Sequence, residues 1–204
     1  MRKNLGLTQE QRDDLCQNLN IIINSAASVF KDEQLDLTVR VNAGGAIQLL
    51  KIAEDSPKFE TFVQVSSVMV NCEKTGFIEE SVYSNIKYRW QDKYDEILAL
   101  NKRDLIKNST ELIMPFTNAY SFSKRMAEHL LIEHNTKNLP ITFIRPSIIG
   151  AALDEPAIGW TDTLGLMSGV TLLAGLGIFK DMTGDDNIIG DIVPVDHVAR
   201  QILV

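Results

Sequence analysis

Two residues whose types and spacing could move a proton stand in the stretch TNAYSFSKRMAEHLL, residues 117–131. Tyr120 and Lys124 are four apart, so on a helix their side chains share one face, about one turn from each other. A phenol with a reference pKa of about 10 is a poor acid at neutral pH. An ammonium one turn away favours the phenolate, lowers that pKa and tunes the tyrosine for proton transfer. Spacing alone does not select the pair, because YSNIK puts Tyr83 and Lys87 at the same interval.

Strands and helices must carry such a pair to a substrate. LNIIINSAA reads as a short apolar run, Ile21–Ile23, ending in small residues, which suits a fully buried parallel strand. LDLTVRVNAGGAIQLLKIAED follows, with Leu37, Val41, Ile47, Leu50 and Ala53 at helical spacings and Gly44-Gly45 as its weak point. FETFVQVSSVMVN is a second buried strand with a polar end. From about 83 to 112 the pattern turns charged and predicts an exposed helical insertion. Residues 119–135 predict an amphipathic helix, LPITFIRPSIIG a third buried strand stopped by Pro146, and DIVPVDHVARQILV a turn or strand opening another helix. Alternating strands and helices are the signature of an α/β domain with a parallel sheet. A doubly wound sheet of this kind binds ligands outside the carboxyl ends of its strands. The three apolar runs end in Asn24-Ser25-Ala26-Ala27, Ser66-Ser67 and Arg145-Pro146-Ser147. Two serines, Tyr120 and Lys124 can thus converge on one rim.

The same frame separates the two tyrosine–lysine pairs. Tyr83 is followed by the charged insertion, in which no apolar stripe suited to docking on a sheet is visible. The Tyr120 helix has such a stripe, with Ala127 and Leu131 in line and Leu130 and Ile132 beside it. Tyr120 and Lys124 are the expected pair, and Tyr83 is expected on a loop or surface. A serine hydroxyl at the neighbouring strand end, Ser67 first and Ser66 second, would hold the substrate oxygen.

Composition bounds what else the chain can be. Its 204 residues suffice for one domain with a sizeable core. Hydrophobic residues make up 45% and charged ones 23%, as in ordinary globular proteins. A formal net charge of −7 leaves no basic surplus to neutralise phosphates, which argues against broad nucleic-acid binding. Cys16 and Cys72 supply neither a disulfide framework nor a metal cluster with the three histidines, so no metal and a reducing compartment are expected. The polar start MRKNLGLTQEQRDDLC lacks the apolar centre of a signal peptide. The most apolar stretch, 164–179, has 16 residues and four glycines, short of the roughly 20 a spanning helix needs. It is expected to be buried or to face substrate.

YSFSK, the serine-ended strand and the RPS strand end resemble the extended short-chain dehydrogenase/reductase superfamily. More specifically, a set of segments in order resembles the alcohol-forming fatty acyl-CoA reductases: LGLTQEQRDDLCQNLNIIINSAASVF, VNAGGAIQLLKIAE, FVQVSSVMVNCEKTGFIEESVY, NAYSFSKRMAEHLL, LPITFIRPSIIGAALDEPAIGW and GDDNIIGDIVPVDHVA. They cover nearly the whole chain, and the RPS…EP..GW block followed by D..PVD is the most family-specific part. The resemblance implies a Rossmann-like sheet that uses NADPH to reduce a long-chain acyl-CoA to a fatty alcohol through the aldehyde. It makes Tyr120 the general acid, Lys124 its tuner and a ligand of the nicotinamide ribose, and Ser67 the substrate-orienting hydroxyl. Asn42 would support the lysine through water. Ala26 and Ala27 would pass the adenosine half of the cofactor, and Ser66 would also line its site. Pro146 to Ile148 would offer backbone groups to the nicotinamide amide. The 164–179 segment and Trp160 would border the acyl chain. A domain on the cytoplasmic side of peroxisomes or the endoplasmic reticulum is implied as well.

The sequence departs from that family in one respect. No GxxGxxG turn precedes residue 20, and NAGGAIQLL comes too late and follows the wrong element. The chain is therefore expected to be a partial reductase domain, incomplete at the N-terminal side of its sheet and lacking the family's C-terminal domain. Its Ile21–Ile23 strand would then have an open apolar edge, an association hazard. A degenerate, non-enzymatic relative is one alternative. Another extended short-chain reductase, acting on nucleotide sugars, sterols or carrier-protein thioesters, is the other.

Overall fold

The computed structural model describes residues 3–29, 33–84, 88–181, 183–185 and 187–204. Lys87, the second member of the YSNIK pair, lies outside them. The chain forms two compact units, Met1–Arg145 and Pro146–Val204.

In the first unit the order is α1 (Gln9–Asn18), β1 (Ile21–Asn24), α2 (Leu35–Val39), a π turn (Arg40–Gly44), α3 (Gly45–Glu54) and β2 (Thr61–Val65). A short 3₁₀ turn (Val68–Asn71), α4 (Trp90–Ala99), α5 (Lys102–Ile113), α6 (Ala119–His134) and β3 (Ile141–Ile144) follow. The strands make a parallel sheet in the order β1-β2-β3. Ile22 stands beside Phe62, and Phe62 beside Ile141. Ile22 and Phe62 enter the main hydrophobic core, whereas Ile21 and Ile23 on the edge strand are exposed. The third strand is half-buried, not the fully buried strand expected, because among the described residues it too is an edge.

Asn118 caps α6 by accepting the Ser121 N–H at 2.9 Å, satisfying a donor that the first turn cannot. At the far end Asn135 closes the loop into β3, bonding the Leu139 carbonyl and N–H at 2.8 Å each. The amphipathic helix expected here is instead buried on nearly all sides, with Ser121 through Glu128 all inaccessible. The charged insertion explains part of this. Both its helices dock, burying Trp90, Ile97, Leu105, Leu112 and Ile113 in the main core. Trp90 stacks on His129 of α6 at 5.0 Å between ring centres and packs on Phe122 at 5.7 Å. Each such apolar side chain contributes about 1.5–3 kcal/mol, so the insertion is an integral layer and not an exposed appendage. Its stripe meets helices and not the sheet, and the interleaved charges hid it.

The second unit contains β4 (Ile148–Gly150), α7 (Leu166–Gly175), β5 (Ile192–Pro194) and α8 (Val195–Leu203), with β4 and β5 paired in parallel. The turn or strand opening a helix in DIVPVDHVA is β5 running into α8. The apolar 164–179 segment contains α7, and Leu172, Leu173, Leu176, Ile178 and Phe179 are exposed, which rules out the buried alternative and leaves the substrate-facing one. A two-stranded sheet offers too little surface to cover it. No helix among the described residues is long and apolar enough to cross a membrane.

Candidate active site

Tyr120, Lys124 and Ser67 meet at the carboxyl end of β2. Strand β2 delivers Ser66 and Ser67 immediately after Val65, and α6 begins one residue before Tyr120. The Ser67 hydroxyl faces the Tyr120 phenol closely enough to lower its pKa. Its oxygen also accepts the Met69 N–H at 3.2 Å, capping the 3₁₀ turn. Lys124 is almost wholly buried, and its ammonium donates to the Val65 carbonyl at 2.7 Å. That nitrogen lies 5.9 Å from the centre of the Tyr120 ring.

Electrostatics differ from the expectation in one respect. Burial raises the Tyr120 pKa above its ordinary value, and the Ser67 hydroxyl opposes this. The net lowering expected from Lys124 is not seen: burial is the largest influence on the phenol, and the lysine has lost its charge by the pH at which the phenol ionises. Its own pKa falls to about 8, chiefly through burial, with Glu128 partly restoring the charge. At neutral pH the tyrosine is therefore a protonated donor and the lysine predominantly a cation.

Asn42 sits in the π turn, a rare element that recurs at functional sites. Its amide accepts the Ser28 N–H at 2.8 Å and donates to the Ser28 carbonyl at 3.0 Å and to Ser123 Oγ at 2.9 Å. Ser123 in turn donates to the Tyr120 carbonyl at 3.0 Å. Asn42 thus ties the loop carrying Ala26 and Ala27 to the first turn of α6, next to Lys124. Ala26 is exposed and Ala27 half-buried on that loop. Pro146 and Ile148 belong to the second unit, where the Ile148 N–H is engaged by the Asp191 carbonyl at 3.2 Å.

Can this rim hold a polar cofactor? Ser66 Oγ is buried and has no hydrogen-bond partner, which is costly unless something satisfies it. Lys124 has three N–H donors and uses one on Val65. An orphaned hydroxyl at the end of β2 and spare ammonium donors on α6 fit a hydroxylated ligand such as a cofactor ribose. A cavity of about 540 Å³ opens elsewhere, between α2, α5 and the start of α6, and Tyr120, Lys124 and Ser67 are not among its lining residues.

Several functional-looking residues escape a reading of the sequence alone. Asn24 at the end of β1 donates to Gln64 Oε1 at 2.8 Å, joining two strand ends. A glutamine inside FVQV was the available signal. Glu128, one turn after Lys124, is fully buried and takes Arg145 on both oxygens, at 2.9 and 2.7 Å. Tyr83 proves to be a loop residue: its hydroxyl accepts the Glu79 N–H at 2.7 Å and Lys74 covers its ring at 3.9 Å. In the second unit the carboxylate of Asp196 accepts the N–H groups of Leu153, Asp154 and Glu155. Those bonds hold its pKa well below the usual carboxylate range. The EPAIGW and PVD blocks are therefore parts of one device.

The model of an NAD-binding family, described as male sterility protein, matches residues 1–202. Fatty acyl-CoA reductase 1 of Xenopus laevis is 34% identical over 200 residues, 98% of this chain and 38% of that protein. Fatty acyl-CoA reductase wat of Drosophila melanogaster is 30% identical over 199 residues, again 98% of this chain and 38% of that one. The chain thus spans well under half the length of these relatives. Among solved structures, the terminal R domain of the myxalamid PKS-NRPS pathway superposes with a TM-score of 0.68 at 18% identity, covering 99% of this chain and 43% of that one. A Bacillus cereus UDP-glucuronic acid 4-epimerase in complex with UDP-glucuronic acid and NAD gives 0.63 at 17% identity, covering 99% and 53%. These likenesses establish a Rossmann-like α/β fold. With the family model matched almost from end to end, the chain belongs to the NAD-binding male sterility protein family.

Proposed function

We propose that these residues form the catalytic part of an NADPH-dependent reductase that converts a long-chain acyl-CoA to a fatty alcohol through the aldehyde. The observation that carries the reading is the convergence of Tyr120, Ser67 and Lys124 at the carboxyl end of β2. The identity to fatty acyl-CoA reductases supports the substrate class. Both compact units are read as parts of one reductase domain that acts on the cytoplasmic side of a membrane.

A bound nicotinamide cofactor would supply one hydride to the thioester carbonyl carbon, with the C–S bond breaking and coenzyme A leaving as its thiol, and a second cofactor would supply the hydride for the aldehyde. The chain's own side chains handle the oxygen and the protons. The Ser67 and Tyr120 hydroxyls orient the carbonyl oxygen and stabilise the charge that develops on it, as preorganised donors do. Tyr120, kept protonated by burial, gives its proton to the alkoxide of the aldehyde step. Lys124 favours the resulting phenolate and, with Ser66, holds the cofactor ribose. Ala26 and Ala27 leave room for the adenosine half, and Asn42 anchors the loop that carries them. Trp160 and the exposed apolar face of α7 are read as the border of the acyl chain.

The test is to incubate the intact protein with NADPH and acyl-CoA of graded chain length, measuring cofactor consumption and extracting products. Acyl-CoA-dependent oxidation of NADPH with fatty alcohol as product is expected. Turnover of carrier-protein thioesters or nucleotide sugars in place of acyl-CoA would overturn the substrate assignment.

A further inference from the structure

Arg125 follows Lys124 on α6, takes no part in the proton transfer above, and is completely buried. Its guanidinium reaches three carriers at once. Nη1 donates to the Val70 carbonyl at 3.2 Å and to the Asn71 side-chain oxygen. Nη2 donates to the Tyr83 carbonyl at 2.6 Å, and Nε to His129 Nε2 at 3.1 Å. Glu73 Oε1 stands 3.9 Å from Nη2. Val70 and Asn71 end the 3₁₀ turn that Ser67 begins. A second arginine holds the same loop further along: Arg145, fixed by Glu128, donates to the Ser81 carbonyl at 3.0 Å.

We propose that Arg125 is a positioning residue: by fixing the Val68–Asn71 turn against α6, it holds the Ser67 hydroxyl opposite Tyr120. The inference rests on reading Tyr120 and Ser67 as the reacting pair. A lone four-residue 3₁₀ turn has poor hydrogen-bond geometry and does not hold itself in place. Arg125 supplies the missing restraint from the helix that also carries Tyr120, five residues earlier. The turn in turn fixes Ser67, whose oxygen accepts the Met69 N–H and whose own proton is thereby left for the phenol. A planar fork with five donors can bridge the two acceptors on the turn and the Tyr83 carbonyl together, which an ammonium cannot.

The test uses the intact protein carrying 3-fluorotyrosine, whose phenol titrates at lower pH than tyrosine. The Tyr120 fluorine resonance is assigned by its loss in Tyr120→Phe and followed through an alkaline titration. Ser67→Ala is expected to lower the phenol's acid dissociation constant by about threefold to tenfold, the worth of one hydrogen bond. Arg125→Lys and Asn71→Ala are expected to lower it in the same direction, and to add nothing when combined with Ser67→Ala. Wild-type titration in both variants, full additivity with Ser67→Ala, or a silent Ser67→Ala would each overturn the proposal. If Arg125→Lys does not fold, Asn71→Ala decides, since it removes one acceptor and leaves the other arginine contacts. A protein that shows the coupling yet reduces no acyl-CoA would sink the functional reading and leave this one standing.

Discussion

Tyr83 and Tyr120 each stand four residues before a lysine, and the structure gives them different surroundings. Tyr83 lies half-buried in a loop, its hydroxyl accepting a backbone N–H and its ring under Lys74. Tyr120 lies in the first turn of a capped, fully packed helix, its hydroxyl against a serine that ends a parallel strand. Identical spacing therefore carries no chemistry until a sheet end supplies a second hydroxyl. The difference also shows where polar residues are spent: around Tyr83 on loop geometry, around Tyr120 on a rim with an unsatisfied serine and a half-used lysine.

The comparison is broken most directly by removing each hydroxyl. Tyr120→Phe is expected to lower turnover of the intact protein by about 10²–10⁴-fold, the usual worth of a positioned proton donor. Tyr83→Phe is expected to leave turnover within about threefold, since it removes at most one ordinary hydrogen bond. Equal losses in the two variants, read from steady-state kinetics, would erase the distinction.

Lys124 sharpens it next. Its folded pKa of about 8 lies below the ordinary 10.5, so between those values the unfolded chain binds more protons. Stability of the ligand-free chain should then rise as pH climbs from about 8 toward 10.5, the reverse of a stabilising ion pair. Lys124→Met is expected to stabilise that chain by up to ~3 kcal/mol at neutral pH while abolishing turnover. Denaturant titrations at several pH values check both parts, and a destabilised Lys124→Met would contradict the sign.

The smallest effect concerns His129, which accepts from Arg125 and stacks on Trp90. Burial first, then Arg125, pushes its pKa down to about 4. The unfolded chain protonates this histidine below about 6.5, so stability present above that pH is lost as pH falls toward 4. After allowance for solvent screening, the loss is on the order of 1–2 kcal/mol. His129→Gln, which keeps an acceptor for Arg125, should flatten this part of the acid limb. An unchanged limb would assign the acid sensitivity to other groups.

Much of this was legible in the sequence, for reasons that particular residues make plain. Ile21–Ile23 and TFVQV announce strands by uninterrupted apolar runs, although Ile21 and Ile23 lie exposed on an edge, and Ser66-Ser67 mark where the second one ends. Context also separates Tyr120, on a packed helix, from Tyr83, on a loop. What could not be read were partners distant in sequence. Arg125 and Glu128 look like solvated helix charges, and only folding shows loop carbonyls and Arg145 arriving to meet them. The stripe of Trp90, Ile97 and Leu105 was diluted by charges, so an integral layer read as an exposed insertion. The direction of the Tyr120 shift was missed because burial, not the neighbouring ammonium, dominates it.

Asp196 has a topological consequence. Its carboxylate gathers the amides of residues 153–155 just where β5 pairs with β4. Both ends of the chain from 156 to 191 are thereby pinned at one place, and everything between them is a closed excursion. Lengthening such an excursion is cheap, about 0.6 kcal/mol for each doubling. The segment bearing α7 is a cassette that can be resized or exchanged while the stem beneath it keeps its geometry.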